Sequence, residues 1–154
     1  MSPDREDVGL TQRGRVRMAN RRKRWIYAPP KPSKPIVPTA IKADVEAKAR
    51  ALVESVLKPL HVKPPPEDER FNYIVDIGTK WYRSYFYFIA TYRSPGPTAL
   101  SPSFEAKFAR LEYRGPNHFG LAFMRHTGQW IELYPDLSLD ECLEAIRQDP
   151  FFIP

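Results

Sequence analysis

Proline placement constrains this chain more than any other feature. Seventeen of the 154 residues are proline, and they are unevenly spread. Each fixes φ near about −65° and removes a backbone donor. Pro29, Pro30, Pro32, Pro35 and Pro38 favour an extended, polyproline-like course from Arg24 to Pro38. Pro59 stops a helix near Lys58, and the block Pro64-Pro65-Pro66 separates that helix from the strand-rich remainder of the chain. The chain therefore divides into a proline-rich arm, residues 1–38, and a single domain, residues 39–154.

The charge is split in the same way. The formal net charge is +6. Residues 1–70 hold 16 Lys/Arg against 9 Asp/Glu, and residues 71–154 hold 8 against 9. From Arg13 to Lys34 there are nine basic residues and no acidic one, densest at Arg21-Arg22-Lys23-Arg24. A flexible basic run neutralises phosphates and gains from counterion release. Trp25 and Tyr27 come next and are suited to stacking on bases or to docking on the domain with Ile26. The run is not an export signal, since no apolar segment comes after the basic residues. Met18-Ala19-Asn20 reads as an alternative natural start. No apolar run approaches the roughly 18 residues of a membrane span. The one cysteine, Cys142, excludes an internal disulfide framework and a multi-cysteine metal site. A bacterial, cytoplasmic protein without a membrane anchor is the expectation.

Periodicity supplies the fold class. Ile41, Val45, Ala49, Leu52, Val53, Val56 and Leu57 recur at three- and four-residue steps, which predicts an amphipathic helix over residues 39–58 with Thr39 as N-cap. Residues 71–134 read as an antiparallel meander of four to five strands. Its strongest strand is predicted over Trp81–Tyr92 and covered on both faces, because both phases of its alternation are aromatic or apolar. In the next strand, Phe104, Ala106 and Phe108 take one face and Ala109, Leu111 and Tyr113 the other, which predicts a bulge near Phe108. Two further strands carry Phe119, Leu121 and Phe123, then Trp130, Glu132 and Tyr134. Ser138-Leu139-Asp140-Glu141 is a capping box that opens a short C-terminal helix, with Leu139, Leu143 and Ile146 on its buried face. Phe151-Phe152-Ile153 is too apolar to float and is expected to dock on the sheet. The class is α+β. The predicted core is Phe86, Phe88, Phe108, Leu121, Phe123, Ile131 and Leu133, under Val45, Leu52, Val56, Leu143 and Ile146.

Residues 104–152 resemble an uncharacterised bacterial family catalogued only as a domain of unknown function. The likeness is carried by Ala109-Arg110-Leu111-Glu112-Tyr113 and by Phe119-Gly120-Leu121-Ala122-Phe123-Met124-Arg125. Trp130, Tyr134, Leu143, Ile146, Asp149 and Phe152 extend it. Its motif positions are thus Tyr113, Arg125, Trp130, Tyr134 and Asp149. The resemblance implies an α+β domain with a small antiparallel sheet, and no activity. It does not reach the basic arm.

No catalytic pattern stands out. There is no HxxxH, no CxxC and no glycine-rich phosphate loop among the seven glycines. His126 beside a strand carboxylate is the candidate for an enzyme, Cys142 a lesser one. No metal site and no cofactor are expected. The leading expectation is a non-enzymatic protein-interaction or self-associating module, since an uncovered aromatic sheet face forms an interface. The alternative is nucleic-acid binding through Arg21, Arg22, Lys23, Arg24, Trp25 and Tyr27.

Overall fold

The computed structural model describes residue 29, residues 34–68 and residues 70–154. Arg21, Arg22, Lys23, Arg24, Trp25 and Tyr27, and with them the docking expected of the arm, lie outside the described residues.

After Pro38 the chain enters α1 (Thr39–Leu52), passes through a π-helical turn (Val53–Leu57) and leaves through α2 (Lys58–His61). Pro38 itself takes the N-cap position in place of Thr39, and its carbonyl accepts from the Lys42 N–H at 3.0 Å. The expected stop near Lys58 is also corrected, because the helix continues to His61. Pro59 has no N–H to offer, and in a regular helix its ring would press on the carbonyl four residues back. The turn before it is widened instead: the Lys58 N–H reaches the Val53 carbonyl, five residues back. The same widening holds the packing face. Val45, Ala49, Val53 and Leu57 are buried at four-residue steps. Each such step overshoots an α-helical face by about 40°. A wider final turn takes back part of that drift and keeps Leu57 against the sheet.

Five antiparallel strands come next in chain order: β1 (Tyr73–Tyr82), β2 (Tyr85–Arg93), β3 (Ser103–Gly115), β4 (His118–Met124) and β5 (Trp130–Leu137). The single strand expected over Trp81–Tyr92 is in fact the end of β1, a tight turn at Arg83-Ser84, and β2. The turn resets the alternation. Trp81 pairs across it with Phe86, and their rings lie 5.0 Å apart. The bulge near Phe108 is present: Phe88 faces Ala109 while Ile89 faces Lys107. Its effect differs from the expected change of face. The extra residue absorbs the phase change, so Phe104 and Ala106 share a side with Ala109, Leu111 and Tyr113.

Among the described residues, the helices lie on one side of this sheet only. Ile77, Phe86, Phe88, Leu111, Tyr113, Phe119 and Leu121 meet Val45, Ala49, Val53 and Leu57 there. Each large side chain so buried stabilises the fold by about 1.5–3 kcal/mol. The expected cover on both faces of β2 is thus overturned: Tyr85, Tyr87 and Ile89 are only half-buried. Val56 and Ile131, expected in the core, are likewise half-exposed, and Leu52, Phe123, Leu133 and Leu143 pack at its margin.

The last helix, α3 (Leu139–Gln148), begins at the predicted capping box. The Ser138 hydroxyl accepts from the Glu141 N–H at 3.2 Å, and the Glu141 carboxylate accepts from the Ser138 N–H at 2.9 Å. Leu139, Cys142 and Ile146 are its buried residues. A 3-10 turn, Pro150–Phe152, then buries Phe152 edge-on to Phe123 at 6.5 Å, so the C-terminal segment docks as expected.

Candidate recognition surface

Strand alternation sends every second side chain to the side without helices, and register decides which of them meet. Tyr85 lies opposite Glu112, Tyr87 opposite Arg110, and Ile89 opposite Lys107. On the next strand Arg110 faces Ala122 and Glu112 faces Gly120. Glu132 and Trp130 on β5 complete the row beside Ala122 and Met124. Gly120 and Ala122 are small and buried. They leave a trough in which the long side chains of neighbouring strands lie down.

Four of the cationic side chains on this face are arranged in two ways. Arg114 and Lys34 are spent on carboxylates. Arg114 donates to the Pro135 carbonyl at 2.5 Å, to Glu112 at 2.8 Å and to Glu132. The Lys34 ammonium contacts the Tyr85 hydroxyl and lies 3.2 Å from the other Glu112 oxygen. Burial alone would raise the Glu112 carboxyl, but the hydrogen bonds from Arg114 and Lys34 outweigh it and hold the group below the usual carboxylate range.

Arg110 and Lys107 are arranged differently. The Arg110 guanidinium lies 4.7 Å from the Tyr85 ring centre and 4.9 Å from that of Trp130. Lys107 sits 4.6 Å over Tyr87. Tyr87 in turn packs on Tyr85 at 6.1 Å and on Trp130 at 5.8 Å. These distances fit cation–π contact. Neither cation has a carboxylate partner among the described residues. The Arg110 Nε is buried and has no hydrogen-bond partner among them either. The rings thus hold two cations in place, and the cations in turn occupy the ring faces.

The motif positions divide between roles. Tyr113 is buried against Phe119 at 5.7 Å. The Tyr134 hydroxyl donates to Asp149 at 3.1 Å, and the other Asp149 oxygen accepts from the Phe151 N–H at 3.1 Å. That pair ties the C-terminal turn to β5. Arg125 is exposed in the β4–β5 turn, where its N–H reaches the Gln129 carbonyl at 2.8 Å. Trp130 alone belongs to the helix-free face.

His126 is exposed in the same turn, with no carboxylate beside it among the described residues. A histidine–carboxylate pair does occur elsewhere, His118 with Asp136 at 2.8 Å, and both are exposed. Burial and the nearby Glu141 push the Cys142 thiol up to about 12, far from a ready nucleophile. Among the described residues no group of three or more His, Cys, Asp or Glu is placed to hold a metal ion. None of their helices is long and apolar enough to cross a membrane.

A five-stranded meander with helices on one side and a cation-bearing aromatic face on the other defines an α+β domain. The chain belongs to the family described as Domain of unknown function (DUF3024), whose model matches residues 36–154. No curated protein and no solved structure matches it.

Proposed function

We propose that the domain is a non-enzymatic interaction module whose helix-free sheet face takes an acidic segment of a protein partner. The observation that carries this reading is Arg110. Its guanidinium is stacked on Tyr85 and Trp130 and lacks a carboxylate partner among the described residues. Arginine offers donors in a fixed fork that matches a carboxylate, and an aromatic support holds that fork ready. Tyr, Trp and Arg are also the residue types that anchor protein interfaces. Lys107 adds a second supported cation, while Glu112 and Glu132 are already neutralised. Base stacking is less well served, because cations occupy the ring faces that a base would need.

The test is fluorescence anisotropy with a labelled oligo-glutamate peptide and a labelled oligo-deoxythymidine, using the full chain. The peptide should bind, and Arg110→Gln and Trp130→Ala should each weaken it by about tenfold, roughly one lost charge-assisted contact. Circular dichroism confirms that both variants fold. Absence of peptide binding, or binding indifferent to both substitutions, would sink the reading. Tighter binding of the oligonucleotide, lost with the same substitutions, would transfer the face to nucleic acid. A two-fold complex in sedimentation that disappears in Arg110→Gln would transfer it to self-association.

A further inference from the structure

We propose a second site: the cleft beside the β1–β2 turn binds a small organic oxyanion, a phosphate or carboxylate attached to an apolar group. The cleft has a volume of about 460 Å³, within the range of small-molecule sites. Lys34, Lys42 and Arg83 line it, and among the described residues no carboxylate does. Lys34 is held by Glu112 and the Tyr85 hydroxyl, and so forms a fixed wall. Lys42 and Arg83 have no carboxylate partner among the described residues. Each lies near an aromatic ring instead, Lys42 at 5.9 Å from Trp81 and Arg83 at 5.3 Å from Tyr82. Pro35 and Ile36 add an apolar part to the lining, the latter 90% exposed. Two cations without a carboxylate partner among the described residues, in one cleft with an uncovered isoleucine, suit a ligand with a charged end and an apolar end.

The backbone adds an independent reason. Arg83 takes φ of 56°, the left-handed region where glycine or asparagine is at ease and other side chains are strained. A two-residue hairpin turn is ordinarily built with those residues. Arg83 makes no ion pair among the described residues that would offset the strain. A cation held against its conformational preference in the lining of a cleft with no carboxylate among its described residues points to a ligand. Arg110, Lys107 and Trp130 do not line the cleft, whereas Lys34 and Tyr85 do, so the site adjoins the sheet face without sharing its two ring-supported cations.

The experiment is an amide NMR titration of the full chain with phenyl phosphate, benzoate, benzyl alcohol and inorganic phosphate. Phenyl phosphate or benzoate should shift the amides of residues 34, 36–37 and 81–85, and the tighter of the two identifies the oxyanion. Arg83→Gly and Lys42→Gln should each weaken that binding by about tenfold, roughly one lost charged contact. Arg83→Gly should meanwhile raise the melting temperature, since it removes strain along with charge. Arg147→Gln, on α3, should leave binding unchanged. Shifts absent from the cleft, or binding unaltered in Arg83→Gly and Lys42→Gln, would refute the site. Benzyl alcohol or inorganic phosphate binding as tightly as phenyl phosphate would refute the two-ended ligand.

Discussion

The Arg114 guanidinium fills the space above Gly120 that any other residue would need for its Cβ. An ideal Cβ at position 120 falls 2.5 Å from the guanidinium carbon and 2.6 Å from one of its nitrogens. Glycine at 120 is therefore what lets Arg114 lie across β4 and reach Glu132 and the Pro135 carbonyl on β5.

Gly120→Ala tests that contact. Arginine is flexible, but this one is held by three acceptors, so moving it breaks several charged hydrogen bonds at once. We expect a loss of about 1–2 kcal/mol, of the order of one or two such bonds. Urea denaturation of Gly120→Ala, Arg114→Ala and the double variant checks it. The alanine at 120 should cost much less once Arg114 is gone, and equal costs in both backgrounds would show that the contact is unimportant.

Glu112 predicts the response to acid. Its carboxyl titrates below the usual range in the folded state. The folded form thus binds fewer protons than the unfolded chain as pH falls through the ordinary carboxylate value of about 4.3. Its contribution is complete above that value and disappears as pH falls through the lower, folded one. Denaturation midpoints should drop over this interval, and Glu112→Gln should flatten the drop while lowering stability at neutral pH. A wild-type and variant pair with parallel acid profiles would contradict the assignment.

Cys142 should be chemically silent. Its thiol is fully buried and titrates near 12. A disulfide reagent at about pH 8 should react only after denaturant is added, because the thiolate is the reactive form. Stoichiometric labelling of the native protein within minutes would show that α3 opens far more readily than its packing implies.

Much of the architecture is written locally in the chain. Alternation in β4, the phase change at Phe108 and the capping box at Ser138 each depend on a few neighbouring residues. The features that escape such reading involve a substitute for the usual signal. Arg83-Ser84 turns the chain without glycine, asparagine or proline, so Trp81–Tyr92 reads as one strand. Pro59 reads as a stop, because a π-turn placed before it has no composition of its own. The helix-free face is harder still. Both phases of β2 are aromatic, and only packing decides that Phe86 and Phe88 face the helices while Tyr85 and Tyr87 do not. Trp130 stands out in the sequence, whereas Arg110 gains its meaning only when strand register places it between Tyr85 and Trp130.

The order of the strands also has a kinetic consequence. Each strand pairs with its neighbour in the chain, so every ladder closes a short loop at small entropic cost. The contact between α1 and α3, with Lys48 3.6 Å from Asp140, closes a far longer loop. It joins segments almost the whole domain apart. Successive hairpins are therefore expected to assemble first, and the meeting of α1 with α3 to come late. A nascent chain ending before Leu139 has its strands and α1 but not α3, and the part of the core that Leu139, Cys142 and Ile146 close remains open to water until that helix arrives.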